Sequence, residues 1–292
     1  MDIKEFYHKN YKKILLIPLV LFIILLSVVI IKYEKTGELI NKDVSLSGGI
    51  SATVYTSQNI DVKALQSKLS SDLKEQIFIR PLRDYTTNEN KGIAVEVSNT
   101  KINEELKTSL EKNLNIALTA ENYSVEETGS NLGASFYKEM LIAIFVAFIL
   151  MGIVVFITFR TFIPSIAVVF AALFDILAAL AVIDFLDVRI STAGIAALLL
   201  VIGYSIDTDI LLTTKLLKRR EGELMDRAVD AIKTGLTMTL TTVAAVTAGY
   251  IFTNSLIFKQ MFLIIAVALI FDIIATYLMN LGILLWYIER KK

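Results

Sequence analysis

The chain has 292 residues, 55% of them hydrophobic, and its 29 basic and 29 acidic side chains cancel to zero net charge. A mean hydropathy of +0.62 is more than a soluble domain of this size carries, so apolar surface must face lipid, and no overall basic field exists to draw nucleic acid. The sequence contains no cysteine and a single histidine, His8 in a Lys-rich segment; disulfides, thiolate chemistry and histidine metal clusters are excluded by count.

In chain order, residues 1–13 read as a basic tail containing "KNYKK", and residues 14–31 as a first membrane-spanning helix, since a bilayer core of roughly 30 Å needs about 20 helical residues. The apolar run exceeds a signal-peptide core, and "KYEKTGELI" after it has no small-residue cleavage pattern, so an uncleaved span is expected. Residues 32–138 have the mixed composition of a water-soluble α+β domain. Strands are predicted at "ISATVYTS", "QIFIRPL", "GIAVEVSN" and "YSVEET". Helices are predicted at "NIDVKALQSKLSSDL", capped by Asn59 or Asp61, and at "NTKINEELKTSLEKNLN", capped by Asn99. This βαββαβ order is that of a ferredoxin-like domain, and Gly48 and Gly49 read as a turn before its first strand.

Five further spans are predicted at 140–159, 162–183, 190–214, 231–252 and 259–288, within a membrane region 139–288 closed by a short tail, 289–292. Pro18 and Pro164 fall near helix starts, where a missing N–H costs little. Basic residues collect on one side if six spans alternate: Lys4, Lys9, Lys12 and Lys13; Arg160; Lys215, Lys218, Arg219, Arg220 and Arg227; Arg290, Lys291 and Lys292. That side is expected to be cytoplasmic, with both termini on it and the α+β domain external.

Four carboxylates lie inside the apolar segments: Asp175, Asp207, Asp209 and Asp272. Each costs about 2.5–3.5 kcal/mol near a helix centre, so such groups face a bundle interior or water and carry function by default. Asp207 and Asp209 point roughly 200° apart on a helix. Starting from Tyr204, the residues Thr208, Ser205, Asp209 and Thr213 fall along one arc of the fourth span, with Asp207 across the helix near Gly203 and Thr214. Lys233, Thr237 and Thr241, spaced by four with Thr234 beside them, form a comparable line on the fifth. Two such stripes facing each other suit a proton or hydrated-ion path. The alternative is architectural, with Lys233 snorkelling and the threonines packing helices. "FDILA" at 174–178 and "FDIIA" at 271–275 place an aspartate alike in the third and sixth spans.

The segment "VIGYSIDTDILLTTKLLKRREG" is similar to the fourth-span signature of the SecF protein-export family in its archaeal form. "DVSLSGGI" resembles that family's Gly-Gly motif and "ETGSNLGASFYKEML" its segment entering the second span; "FDILAALAVIDFLDVRISTAGIAALL" and "AIKTGLTMTLTTVAAV" resemble later spans. The resemblance implies a member of the resistance-nodulation-division superfamily in the cell membrane. It implies a partner SecD, with the Sec channel, exported polypeptides and lipids as further partners, and promotion of late translocation using the ion gradient. The bacterial acidic position of span four falls here on Thr208, between Asp207 and Asp209, and a bacterial arginine of span five falls on Thr234. No nucleotide loop or nucleophile–base pair is visible, so no cofactor and no enzymatic activity are expected. The competing readings are a proton-driven small-molecule or lipid exporter, and a scaffold for SecD without coupling.

Overall fold

The first 13 residues, expected as a tail, are mostly helical: α1 (Ile3–Ile14) runs into α2 (Leu16–Thr36) after a break at Leu15. Tyr7 and Tyr11, one turn apart, hold α1 to the far end of the chain. The Tyr7 hydroxyl donates to the Tyr277 carbonyl at 2.8 Å, and the Tyr11 hydroxyl donates to Glu289. The computed structural model describes residues 3–83, 89–219, 222–253 and 255–291; Arg220, Lys292 and the side chains of Lys4, His8 and Lys9 lie outside the described residues. Gly37 ends α2, because its φ of 71° lets its N–H close back on the Tyr33 carbonyl.

After a short turn, α3 (Val44–Ser47), come β1 (Gly49–Tyr55), α4 (Val62–Leu73), β2 (Ile77–Arg83), β3 (Asn90–Val97), α5 (Asn103–Leu114) and β4 (Tyr123–Thr128). The strands form one antiparallel sheet in the order β2-β3-β1-β4, the ferredoxin-like topology expected from the sequence. Alternation decides its two faces. Ile50, Ala52 and Val54 of β1 and Ile93, Val95 and Val97 of β3 are buried with Leu69, Leu106 and Leu110 of the helices. Ser51, Thr53 and Tyr55 point the other way, into a polar cavity of about 400 Å³ shared with the ends of the membrane helices. Asp61, rather than Asn59, caps α4, its carboxylate accepting from the Lys63 and Ala64 N–H groups at 3.1 Å each. Asp61→Ala is expected to cost about 1 kcal/mol, read as faster amide exchange confined to the first turns of α4.

Among the described residues six helices are long and apolar enough to cross a membrane: α2 extended by the end of α1, α6 (Ser130–Phe159), α7 (Phe162–Phe185), α8 (Thr192–Leu217), α9 (Leu224–Phe252), and α10 (Leu256–Ile274) continued through a π-helical turn (Ala275–Asn280) into α11 (Leu281–Lys291). Two-thirds of the apolar window of α7 is buried against 11% for α6 and α9, so α7 is the centre of the bundle and those two its flanks.

The sheet is fastened to the bundle by polar contacts. Glu96 of β3 is nearly inaccessible and accepts from both Arg80 of β2 and Arg189 of the α7–α8 loop, while the Arg189 guanidinium lies 3.2 Å from the centre of the Phe78 ring. The Ile190 N–H donates to the Asn41 carbonyl at 2.6 Å and the Asp43 N–H to the Ile190 carbonyl at 3.0 Å. Burial pushes the Asp43 carboxyl above the usual carboxylate range, against hydrogen bonds from Ser45 and the nearby Arg80 charge. Gly48, with a φ of 80°, meets Gly133 of α6 so closely that a Cβ on Gly133 would sit 2.7 Å from the Gly48 nitrogen. The two glycine-bearing motifs therefore form one backbone contact.

Candidate functional site: carboxylates buried between three spans

Each of α7, α8 and α10 sends one aspartate into a common interior. Asp175, Asp209 and Asp272 are all completely inaccessible, as are Ser205, Thr213, Thr276 and Asn280 around them. On α7 the burial of Ala171, Ala172, Phe174, Ala178 and Ala179 leaves Asp175 no route to lipid or water. On α8 the predicted arc is buried except at its start: Ser205, Thr208, Asp209 and Thr213 turn inward, while Tyr204 is exposed. On the last span Asp272, Thr276 and Asn280 follow one another at intervals of four and line the same interior through the π turn, a deviation found often at functional sites.

The hydrogen bonds link the three acids. Ser205 Oγ donates to Asp175 Oδ2 at 2.6 Å, and Asn280 Nδ2 donates to Asp209 Oδ1 at 2.7 Å. Thr276 Oγ1 is 3.0 Å from both Asp209 Oδ1 and Asp272 Oδ1. Thr208 Oγ1 is 2.8 Å from the Ser205 carbonyl and 3.2 Å from Asp272 Oδ2. A hydroxyl has one hydrogen to give. Thr276 and Thr208 thus each face two acceptors with a single proton, and the second contact in each case is satisfied when a carboxyl of the cluster carries a proton of its own. Asp175 Oδ1, Asp209 Oδ2, Thr213 Oγ1, Asn280 Oδ1 and the Tyr277 hydroxyl are buried without a partner in this structure. Among the described residues no basic side chain forms an ion pair with any of the three carboxylates, and no group of three or more acidic or histidine side chains is arranged to hold a metal ion. The arrangement is a buried, acceptor-rich cluster that protons or a small cation can neutralise.

The rest of the expected set lies elsewhere. Asp207 is exposed on the opposite side of α8, in line with Leu200, Gly203 and Tyr204. Lys233, Thr234, Thr237 and Thr241 are exposed too, so the line on α9 does not meet the Asp209 arc. Thr234, Thr237 and Thr241 return their hydroxyls to their own helix, at the carbonyls of Asp230, Lys233 and Thr237. Lys215 takes the place expected of Lys233 beside Thr234, donating to Thr234 Oγ1 at 3.0 Å and to Asp230 at 2.7 Å, at the surface. The reason is packing. Ala228, Ala231, Gly235 and Thr239 form the inward face of α9, where a bare Gly235 admits the Tyr277 hydroxyl. Thr276, Asn280 and Tyr277 are not among the residues expected from the sequence, although Asp272, Thr276 and Asn280 have the same spacing of four as the line on α9.

A bundle of six candidate spans among the described residues, with a ferredoxin-like insertion after the first and buried acids among the later ones, defines a multi-pass membrane protein. The chain overlays on the whole of its length with the crystal structure of SecDF, a translocon-associated membrane protein from Thermus thermophilus, at a TM-score of 0.74, 18% identity and 40% of that longer chain. A heavy metal efflux pump gives a weaker likeness of fold, TM-score 0.50 over 87% of this chain and 37% of the pump. Residues 105–290 match the family described as protein export membrane protein SecD/SecF, C-terminal. Two curated relatives, both protein-export membrane protein SecF, are 35% identical (Methanocaldococcus jannaschii, 97% of this chain and 98% of the relative) and 33% identical (Methanothermobacter thermautotrophicus, 97% and 94%). The chain belongs to the SecD/SecF family of protein-export membrane proteins, a family of translocation accessories rather than enzymes.

Proposed function

We propose that the chain is the SecF-type half of a twelve-span unit completed by SecD, which promotes late translocation of exported polypeptides through the Sec channel and draws on the ion gradient through Asp175, Asp209 and Asp272. In this reading both termini are cytoplasmic and the α+β domain, residues 32–138, is external. The observation that supports the coupling is the hydrogen-bond count at Thr208 and Thr276, which favours a proton on a cluster that has no basic partner among the described residues. Partnership with SecD is supported by the Thermus SecDF chain, of which this chain spans 40%. It is supported also by the exposed Asp207, Lys233, Thr237 and Thr241 on neighbouring spans, polar groups better covered by protein than by lipid. One charge crossing 100 mV supplies about 2.3 kcal/mol, enough to bias a conformational step of the external domain.

The test is co-reconstitution with SecD in liposomes, reading proton or sodium flux under an imposed gradient. A flux that appears with both subunits and collapses in the Asp209→Asn variant is the expected result. Equal flux in that variant and the parent, or none with either, removes the coupling and leaves the scaffold reading.

A further inference from the structure

We infer that a basic cavity at one end of the membrane bundle binds the phosphate headgroup of an anionic phospholipid. The cavity, about 570 Å³, lies away from the acidic chamber, where the last turns of α6, α8 and α11 meet the first turn of α9. Lys218, Arg219, Arg227 and Lys291 reach it from the ends of three different helices, and among the described residues no carboxylate lines it.

The cations are held in ways that leave charge available. Arg227 is fixed by donating to the Leu216 carbonyl at 3.2 Å and to that of Arg219, stitching α9 to the end of α8. The Lys218 ammonium stands 5.5 Å from the centre of the Phe159 ring and that of Lys291 5.8 Å from the Tyr287 ring, aromatic faces that orient a cation without cancelling its charge. Among the described residues Arg219 forms an ion pair, with Asp230 at 3.6 Å, and Lys215 already holds that carboxylate at 2.7 Å. Cations near a helix C-terminus answer the helix dipole, which accounts for Lys218 and Arg219 on α8. It does not account for Arg227, at the start of α9, or for the enclosure of four positive charges around one cavity.

Position and lining select the occupant. At 1.5 Å per residue the 26 residues of α8 span about 39 Å, more than the roughly 30 Å hydrocarbon core, so its last turn lies at headgroup depth. Basic pockets between spans at that depth suit acidic lipid headgroups. Phe159, Leu216 and Tyr287 give the cavity an apolar floor, which an acyl chain can cover and a free phosphate ion cannot use.

The purified full chain in detergent is titrated with short-chain phosphatidylglycerol, phosphatidylcholine and inorganic phosphate, with bound lipid counted by native mass spectrometry. Phosphatidylglycerol is expected to bind well ahead of phosphatidylcholine, with inorganic phosphate failing to compete. The Lys218→Gln/Lys291→Gln double variant is expected to weaken binding by roughly 30-fold, and the corresponding double Arg variant to retain it. Equal binding of both lipids, full affinity in the Gln variant, or competition by inorganic phosphate at equal concentration overturns the proposal. If the Gln variant does not fold, added salt serves instead on the parent chain: lipid binding that salt leaves unchanged is equally fatal.

Discussion

Asparagine at position 209 is expected to remove most of the gradient-dependent part of export while leaving the chain folded and associated with its partner. The substitution preserves volume, and Asn280 and Thr276 keep an oxygen to bond, so the cost to packing is small. What it removes is a group able to take and release a charge inside the bilayer. Since one charge is worth about 2.3 kcal/mol per 100 mV, loss of its passage lowers the gradient's contribution by up to roughly 50-fold at that potential. Asp175→Asn and Asp272→Asn are expected to do the same, because Ser205, Thr208 and Thr276 tie all three acids into one network, and the double variants are expected to add little beyond either single. Asp207→Asn, on the outer side of α8, is expected to retain the gradient response. Export assays in membrane vesicles with and without an uncoupler measure each of these. A full gradient response in all three buried-site variants would dispose of the cluster as a coupling site.

The second large effect is expected at the junction of sheet and bundle. Glu96 is buried between two guanidinium groups, so Glu96→Gln removes the carboxylate that both of them contact and leaves Arg80 and Arg189 with Asp43 as their shared acidic neighbour. Removing one member of a buried ion network costs about 3–5 kcal/mol. The loss is expected to appear as release of the α+β domain from the bundle rather than as its unfolding, since the sheet's apolar core lies on the opposite face, against α4 and α5. Hydrogen exchange resolves the two: protection should fall in the α7–α8 loop around Ile190 and in the segment 41–43 that pairs with it, while β1 stays protected. Pairing Glu96→Leu with Arg80→Leu should recover part of the loss, because the unmatched charge goes with its partner. Unchanged exchange at both places would show that the contact is dispensable.

Of the candidate site, the residue types and half of the geometry were legible in advance. The arc Ser205, Thr208, Asp209 and Thr213 belongs to one helix, whose turn of about 100° per residue is the same in any surroundings, and it is the buried arc. Asp175 and Asp272 stood out because charge inside an apolar run is costly wherever it falls. The sequence pattern points to α9 for the partner of the Asp209 arc, where Lys233, Thr237 and Thr241 line up; in the structure it is on the last span, where Asp272, Thr276 and Asn280 do. Both lines have the same spacing and a charged head, and nothing within either segment ranks one above the other.

The sequence by itself determined the six crossings, the βαββαβ order of the inserted domain and the set of intramembrane acids, because bilayer thickness, strand alternation and the cost of buried charge act on short stretches one at a time. Only the tertiary structure decided how each helix is rotated about its axis. That choice rests on which small residues let neighbours approach, as Gly235 admits Tyr277 and Gly133 admits the backbone at Gly48. Rotation is a property of pairs of surfaces, and so three acids far apart in the chain share one chamber while Asp207, two residues from Asp209, lies outside it.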